Sequence, residues 1–286
     1  MVNKVKKHSF DFIIIVLLLL IAATAVFPLL YVLSASLTPY SEVLKNGGFI
    51  LLPKKFTLAA YNEILGQSKV IHAFGVTVFV TIVGTFINLI LSLLMAFPLS
   101  RKNIPGRTFI LFLVVLTLLV NGGIIPTYIV VHATGLTNTI WSMIVPNAIA
   151  AFNLLIMKSF FETLPEELFE AARMDGANEF YILYKIVLPL SIPVMMTIGL
   201  FYAAGHWNEF MQPLLYITDS SLFPLQVVIR DIIMQTQDQL NNPDVSIPTV
   251  TIQMASVIVA SLPIILVYPF VQKYFMKGML LGSIKG

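Results

Sequence analysis

Long apolar runs alternate with short polar stretches along the whole chain. The runs lie at about Phe12–Leu33, Phe74–Pro98, Phe109–Val131, Thr139–Met157, Leu190–Met211 and Thr251–Tyr268, each bounded by charges or by Pro and Gly. At 1.5 Å per residue, a run of about 20 residues crosses a hydrocarbon core of about 30 Å. The pattern therefore predicts an all-α integral membrane protein with six transmembrane helices, organised as one transmembrane domain over residues 1–286. The first run has a rival reading as a signal peptide, because Lys4, Lys6 and Lys7 precede it and Ala23-Thr24-Ala25 imitates a cleavage site. Signal cores run about 7–15 residues, and this run continues past that site, so a retained anchor is expected.

Composition agrees with the pattern: 58% of residues are hydrophobic and only 11% charged, against roughly 45–50% and 25% in a soluble domain. The 17 Lys and Arg residues fix an orientation. Assigning tails and loops alternately to the two sides puts 12 of them on one side, among them Lys4, Arg101, Arg107, Lys158, Arg173 and Lys185, and 5 on the other. The excess of basic residues marks the cytoplasmic side, so both termini are expected there. Two long loops, about 36–73 and 212–250, then face outward, and a charged loop at about 159–189 faces inward. The chain has no cysteine, which excludes disulfides, thiolate nucleophiles and Cys-ligated metal clusters.

That inward loop contains "EAARMDGANEFYILYKIVLP", residues 170–189, and reads as two short helices. Thr163 can cap the first, with Glu166 reaching back and Pro165 near its first turn. Gly176 tolerates the left-handed conformation that ends a helix, Asn178 can cap the second helix, and Pro189 is expected to close it. Leu168, Ala171, Ala172 and Asp175 recur at spacings of three and four, offering a face of small residues outward. A helix resting on lipid headgroups usually carries Lys or Arg. This one carries Glu166, Glu167, Glu170 and Asp175 against Arg173, which suits a basic groove on another protein better.

Glu-Ala-Ala, three residues, Gly, nine residues, Ile, one residue, Leu-Pro resembles the cytoplasmic signature of ABC-importer permeases. Its positions here are Glu170, Ala171, Ala172, Gly176, Ile186, Leu188 and Pro189. The resemblance extends to the maltose-permease-like, binding-protein-dependent sugar-transport branch through "FPLLYVLSASL", "FTLAAYNEIL", "PTYIVVHATGLTNTIWSMIVP", "ETLPEELFEAARMDGA" and "HWNEF". The tail "KGMLLGSIKG" is similar to the subgroup associated with complex oligosaccharides. The resemblance implies a type I ABC importer permease fold whose cytoplasmic coupling helix, with Asp175 beside the signature positions, enters a cleft of a separate ATPase. It also implies a second homologous permease subunit, two ATP-binding subunits and an extracytoplasmic solute-binding protein.

The remaining chemistry points the same way. No GxxxxGK[ST] phosphate cradle is present, so ATP is expected on partner subunits, with no cofactor and no enzymatic activity in this chain. Of the 14 acids, all but Glu209 fall in loops or tails. A secondary carrier or channel for a small polar solute, the alternative reading, generally needs ionisable groups deeper in the membrane or a filter. The four histidines are scattered without metal-ligand spacing, and nothing suggests nucleic acid as a partner; lipid surrounds the chain. His206, Trp207, Asn208 and Glu209 crowd one span end, where they line the solute path, serve as interfacial anchors or contact a second permease. Gly122-Gly123 before Pro126 can bend the third run, and Leu225, Val228, Ile229 and Ile232 predict an amphipathic helix in the last outer loop.

The orientation is directly testable because the chain lacks cysteine. An impermeant thiol reagent applied to intact cells should label a cysteine placed at Asn46 and spare one at Asn178. Labelling of the second in unbroken cells would invert the topology.

Overall fold

The computed structural model describes residues 2–238 and 250–283, and all its regular structure is helical. Contacts divide the chain into two units, residues 1–71 with 229–262 and residues 72–228 with 263–286.

In the first unit, α1 (Val2–Ser36) is followed by α2 (Tyr40–Lys45) and α3 (Ala59–Leu65). From Asp11 to Leu30 α1 is exposed, and its foot, at Ser34, Ala35 and Ser36, is buried. Tyr31 explains how that foot is held: its hydroxyl donates to the Gly48 carbonyl at 2.8 Å and its ring stacks on Phe49 at 5.4 Å. Ser36 and Tyr61 share a hydrogen bond of 2.7 Å. Glu42 holds Lys55 at 3.0 Å on the exposed side, an interaction of small worth in water.

The long helix α4 (Ser68–Ser100) leads into the second unit, which continues with α5 (Arg107–Leu119), α6 (Ile124–Ala133), α7 (Ala151–Phe161), α8 (Glu166–Met174) and α9 (Glu179–Ile182). A π-helical turn over Leu183–Val187 joins α9 to α10 (Leu188–Leu190), and α11 (Ile192–Asn208) and α12 (Met211–Tyr216) follow. The last two helices are α13 (Leu225–Asp238) and α14 (Val250–Ser283). In α13, Leu225, Val228, Ile229 and Ile232 are all buried, as their spacing predicts.

Among the described residues, Asp11–Ser36, Ser68–Ser100 and Val250–Val267 are each long and apolar enough to cross a membrane, and the bent pair Glu179–Leu190 with Ile192–Asn208 would add a fourth. The third and fourth apolar runs are broken into shorter helices. The third stops at Leu119 and restarts at Ile124: Asn121 Oδ1 accepts from the Gly123 amide at 2.8 Å, and Gly123 takes φ +88°. The fourth begins as a 3₁₀ turn, Ile140–Met143, and becomes α-helical only at Ala151. Irregular backbone at membrane depth needs internal partners. Tyr202 provides one, its hydroxyl accepting from the Ala150 amide at 3.0 Å while sharing a 2.7 Å bond with Ser92 Oγ.

The second unit has two cores. One joins Leu93, Ala96 and Phe97 of α4 to Leu154, Met157 and Phe161 of α7 and to Ile198 and Tyr202 of α11, with Phe169 of α8 beneath them. The other gathers Val76, Val80, Val131, Ile144 and Tyr216. Close approach of α4 and α11 depends on Gly84: a Cβ there would lie 2.6 Å from His206 Nε2. One turn further along α4, Asn88 Nδ2 is 3.0 Å from the same nitrogen. Gly84→Ala should therefore destabilise the purified protein by about 1–3 kcal/mol through overpacking. Gly75→Ala, with nothing within 4 Å of the added carbon, should change stability by less than about 0.5 kcal/mol. Thermal unfolding in detergent distinguishes them, and equal midpoints would show that the Gly84 contact yields freely.

Candidate functional site

The charged loop is pinned from within by a single aromatic. Phe169 is wholly buried, and the Arg101 guanidinium lies 3.4 Å over its ring and 5.0 Å from the Phe97 ring. Cation–π contact is strongest when desolvated, as here: burial pushes the Arg101 pKa down from its ordinary value, and Arg173 adds to the effect. The group nevertheless stays charged. Glu162 ties a second corner, accepting from Arg107 Nη2 at 2.6 Å and from Lys158 Nζ at 2.8 Å, while Arg107 Nε donates to the Leu99 carbonyl. The ends of α4, α5 and α7 are thus joined around the root of the loop.

The turn after α8 forms as its residues predict. Gly176 has φ +82°, its amide donates to Arg173 O and the Ala177 amide to Ala172 O, which satisfies carbonyls left open at the helix end. Asn178 caps α9, accepting from the Tyr181 amide at 2.8 Å. Arg173 reaches across the turn to Glu179 at 2.9 Å and fixes the angle between the two helices.

Three expectations need correction. Thr163 does not cap α8: its hydroxyl donates back to Phe160 O, and Pro165 precedes the first turn with no side-chain cap. Pro189 does not close the second helix. The π-helical turn at Leu183–Val187 widens the coil ahead of the proline, and the chain bends instead by 83° at Ser191. Ala172 is not fully outward like Ala171; it is half-buried, packing on one side against the Phe169 core while its other side meets the groove beside the turn, because burying Phe169 rotates that part of α8 inward.

Glu170, Ala171, Asp175 and Gly176 are all exposed, and among the described residues neither Glu170 nor Asp175 makes an ion pair. Ile186 and Leu188 are half-buried against the core, and Pro189 is exposed. Beside the turn lies a groove of about 670 Å³, lined by Ala172, Asp175, Gly176, Ala177, Asn178, Tyr181, Lys185 and Ile186. Its surroundings include side chains that the sequence reading missed. Met174 is 83% exposed and Phe180 77%, with Tyr181 and Tyr184 also open. Large apolar groups left bare on a charged loop mark a protein contact, and four such residues within eleven positions of a polar segment were the available signal.

At the other candidate site, the four residues diverge. His206 is buried against Gly84 and Asn88. Trp207 is buried with its ring edge-on to Phe74 at 5.9 Å. Glu209 Oε1 accepts from the Met211 and Gln212 amides and so starts α12. Asn208 is exposed, its amide donating to Ala204 O.

Residues 78–280 match the family model described as binding-protein-dependent transport system inner membrane component, a span that holds the loop, its pinning core and the bent helix pair. The chain belongs to this family. Within it, the polygalacturonan/rhamnogalacturonan transport system permease protein YtcP of Bacillus subtilis (strain 168) is 45% identical over 98% of this chain and all of that protein. The arabinooligosaccharides transport system permease protein AraQ of Halalkalibacterium halodurans is 29% identical over 93% of both. The same architecture occurs in the crystal structure of a bacterial ABC transporter involved in the import of the acidic polysaccharide alginate, with TM-score 0.86 and 30% identity over 94% of this chain and 98% of that one. This inner membrane component is accordingly an ABC importer sugar permease, a multi-pass membrane protein of a family of permeases and not of enzymes.

Proposed function

We propose that the chain is the transmembrane permease subunit of an ABC importer that brings an oligosaccharide into the cell, driven by ATP hydrolysed on separate subunits. The relatives named for polygalacturonan, rhamnogalacturonan and arabinooligosaccharides support the solute class, and the alginate importer supports a saccharide of several units. The single observation that carries the mechanism is the loop itself. Glu170 and Asp175 are exposed without an ion pair among the described residues and Phe180, Tyr181 and Tyr184 are exposed beside them, while Phe169, Arg101 and Glu162 join the root of the loop to the helices. A partner that grips the exposed side therefore moves the membrane part with it.

In this reading α8 is the coupling helix. Glu170, Ala171, Asp175 and Gly176 enter the ATPase cleft, Ala172 fastens the helix from behind, and Ile186, Leu188 and Pro189 carry the motion into α10 and α11. The subunit works with a second, homologous permease, two ATP-binding subunits and a solute-binding protein, with six membrane crossings and both termini in the cytoplasm. At the opposite end, His206 and Glu209 position the corner, Trp207 shapes it, and Asn208 presents its amide to sugar hydroxyls. Alternating access then couples closure of the ATPases to opening of the outer side.

Gly176→Trp should leave the protein inserted and abolish ATP-dependent uptake, since a side chain at positive φ is strained and its bulk blocks the cleft. Glu170→Lys should act similarly by reversing a charge at the contact. Wild-type uptake in both variants, with the ATPase retained normally, would remove the coupling role.

For the solute side, Asn208→Ala should lower uptake per assembled complex, whereas Glu209→Ala should mainly lower the amount assembled. Unchanged specific uptake in the Asn208 variant would leave this corner a structural one.

A further inference from the structure

Below the charged loop lies a cavity of about 610 Å³ to which the transport reading assigns no occupant. Its lining is two-sided. Leu94, Phe97 and Pro98 of α4, with Phe180 and Leu183 opposite, make an apolar wall, and Arg101, Lys102 and Arg173 make a basic rim. Arg101 is the first charged residue after the apolar span of α4, which ends at Ser100.

The Arg101 side chain is incompletely satisfied. Stacking on Phe169 and Phe97 holds its plane, yet Nε and Nη2 are enclosed without an acceptor. Enclosed donors without partners are costly, and carboxylates are near: Glu166 and Glu179 also line the cavity. Glu179 is taken by Arg173 at 2.9 Å, and Glu166 makes no ion pair among the described residues. A guanidinium in the cavity wall with Lys102 beside it supplies positive charge suited to a phosphate.

We infer that this cavity binds a phosphate group, and that its occupant is a membrane glycerophospholipid whose phosphodiester meets Arg101 and Lys102 while its acyl chains lie along Leu94, Phe97 and Pro98. Three features of the cavity select a lipid over a soluble phosphate. The basic rim stands at the end of a spanning helix, which is the level of lipid headgroups. The wall beneath it is apolar, as acyl chains require. The wall also continues onto an exposed face of α4, where Leu94 is 45% exposed. Basic pockets between membrane helices are known to take anionic headgroups. The site touches α8 at Glu166 and Arg173, so a bound lipid would brace the loop from its membrane side.

The test uses the assembled transporter in mild detergent, with native mass spectrometry of the intact complex. The probes are dioctanoyl phosphatidylglycerol, dioctanoylglycerol and inorganic phosphate. Wild type should retain the phospholipid, and Arg101→Gln should weaken that retention roughly tenfold or more, as loss of a charge-assisted contact does. Arg101→Lys should recover part of it, and dioctanoylglycerol should not be retained specifically. Displacement of the phospholipid by millimolar inorganic phosphate, with phosphate itself retained, would keep the phosphate site but assign it to a soluble source. Equal retention of phospholipid by wild type and Arg101→Gln, or of dioctanoylglycerol and the phospholipid by wild type, would overturn the inference. Should Arg101→Gln fail to assemble, a photoreactive phosphatidylglycerol on the wild-type complex decides. Labelling of the peptides holding Leu94–Ile104 supports the site, and labelling confined to other segments refutes it.

Discussion

Inside hydrocarbon a peptide group released from a helix has no water to turn to, so each break in a membrane helix must be answered by a partner within the protein. This constraint governs the second unit. Its third and fourth apolar runs are both interrupted, and the interruptions persist because side chains stand where water cannot. Asn121 serves the first break locally. Tyr202 serves the second from α11, joining the Ala150 amide to Ser92 of α4 through one hydroxyl. Three helices are thereby registered against one another by a single oxygen, and the core of Leu154, Ile198 and Phe97 packs around that arrangement.

The charged loop follows a complementary logic. Its outer side is polar and aromatic, with Glu170 and Asp175 outside any ion pair among the described residues, whereas its inner side is one buried phenyl ring under a guanidinium. Such a segment has two distinct anchorages. The Glu162 cluster and Phe169 tie it to the helices in cis, and the groove beside Gly176 lies on its other, exposed side. The separation of these roles allows the loop to remain folded while its exposed face stays open for contact.

Local chemistry was legible in the residues. The positive φ of Gly176 and the cap from Asn178 each depend on positions within a few residues of one another, and the sequence shows them. The amphipathic spacing of Leu225 to Ile232 was legible for the same reason. The breaks at Val120–Gly123 and before Ala151 were only half visible, because hydropathy reports transfer into lipid and not helix continuity. The second break depends on Tyr202, 52 positions from the amide it serves. Pro189 misled for a related reason: it signals a helix end unless the preceding turn widens, and that widening is set by tertiary packing of Leu183 and Val187. The inward turn of Ala172 was likewise decided by where Phe169 found its core.

The bend at Ser191 has a mechanical consequence. From Glu179 to Leu190 the chain forms an arm of roughly 18 Å at helical rise, set at 83° to α11. Its pivot is a buried serine, and its near end contains a π-helical turn, a kind of distortion often found where function is concentrated. For an arm of that length, a push of about 2 Å at the free end is a rotation of about 6° at the pivot. The same small angle, carried along the roughly 25 Å of α11, sweeps its far tip by nearly 3 Å. Movement too small to disturb packing at one face of the membrane is thus returned, with slight gain and turned through nearly a right angle, at the other.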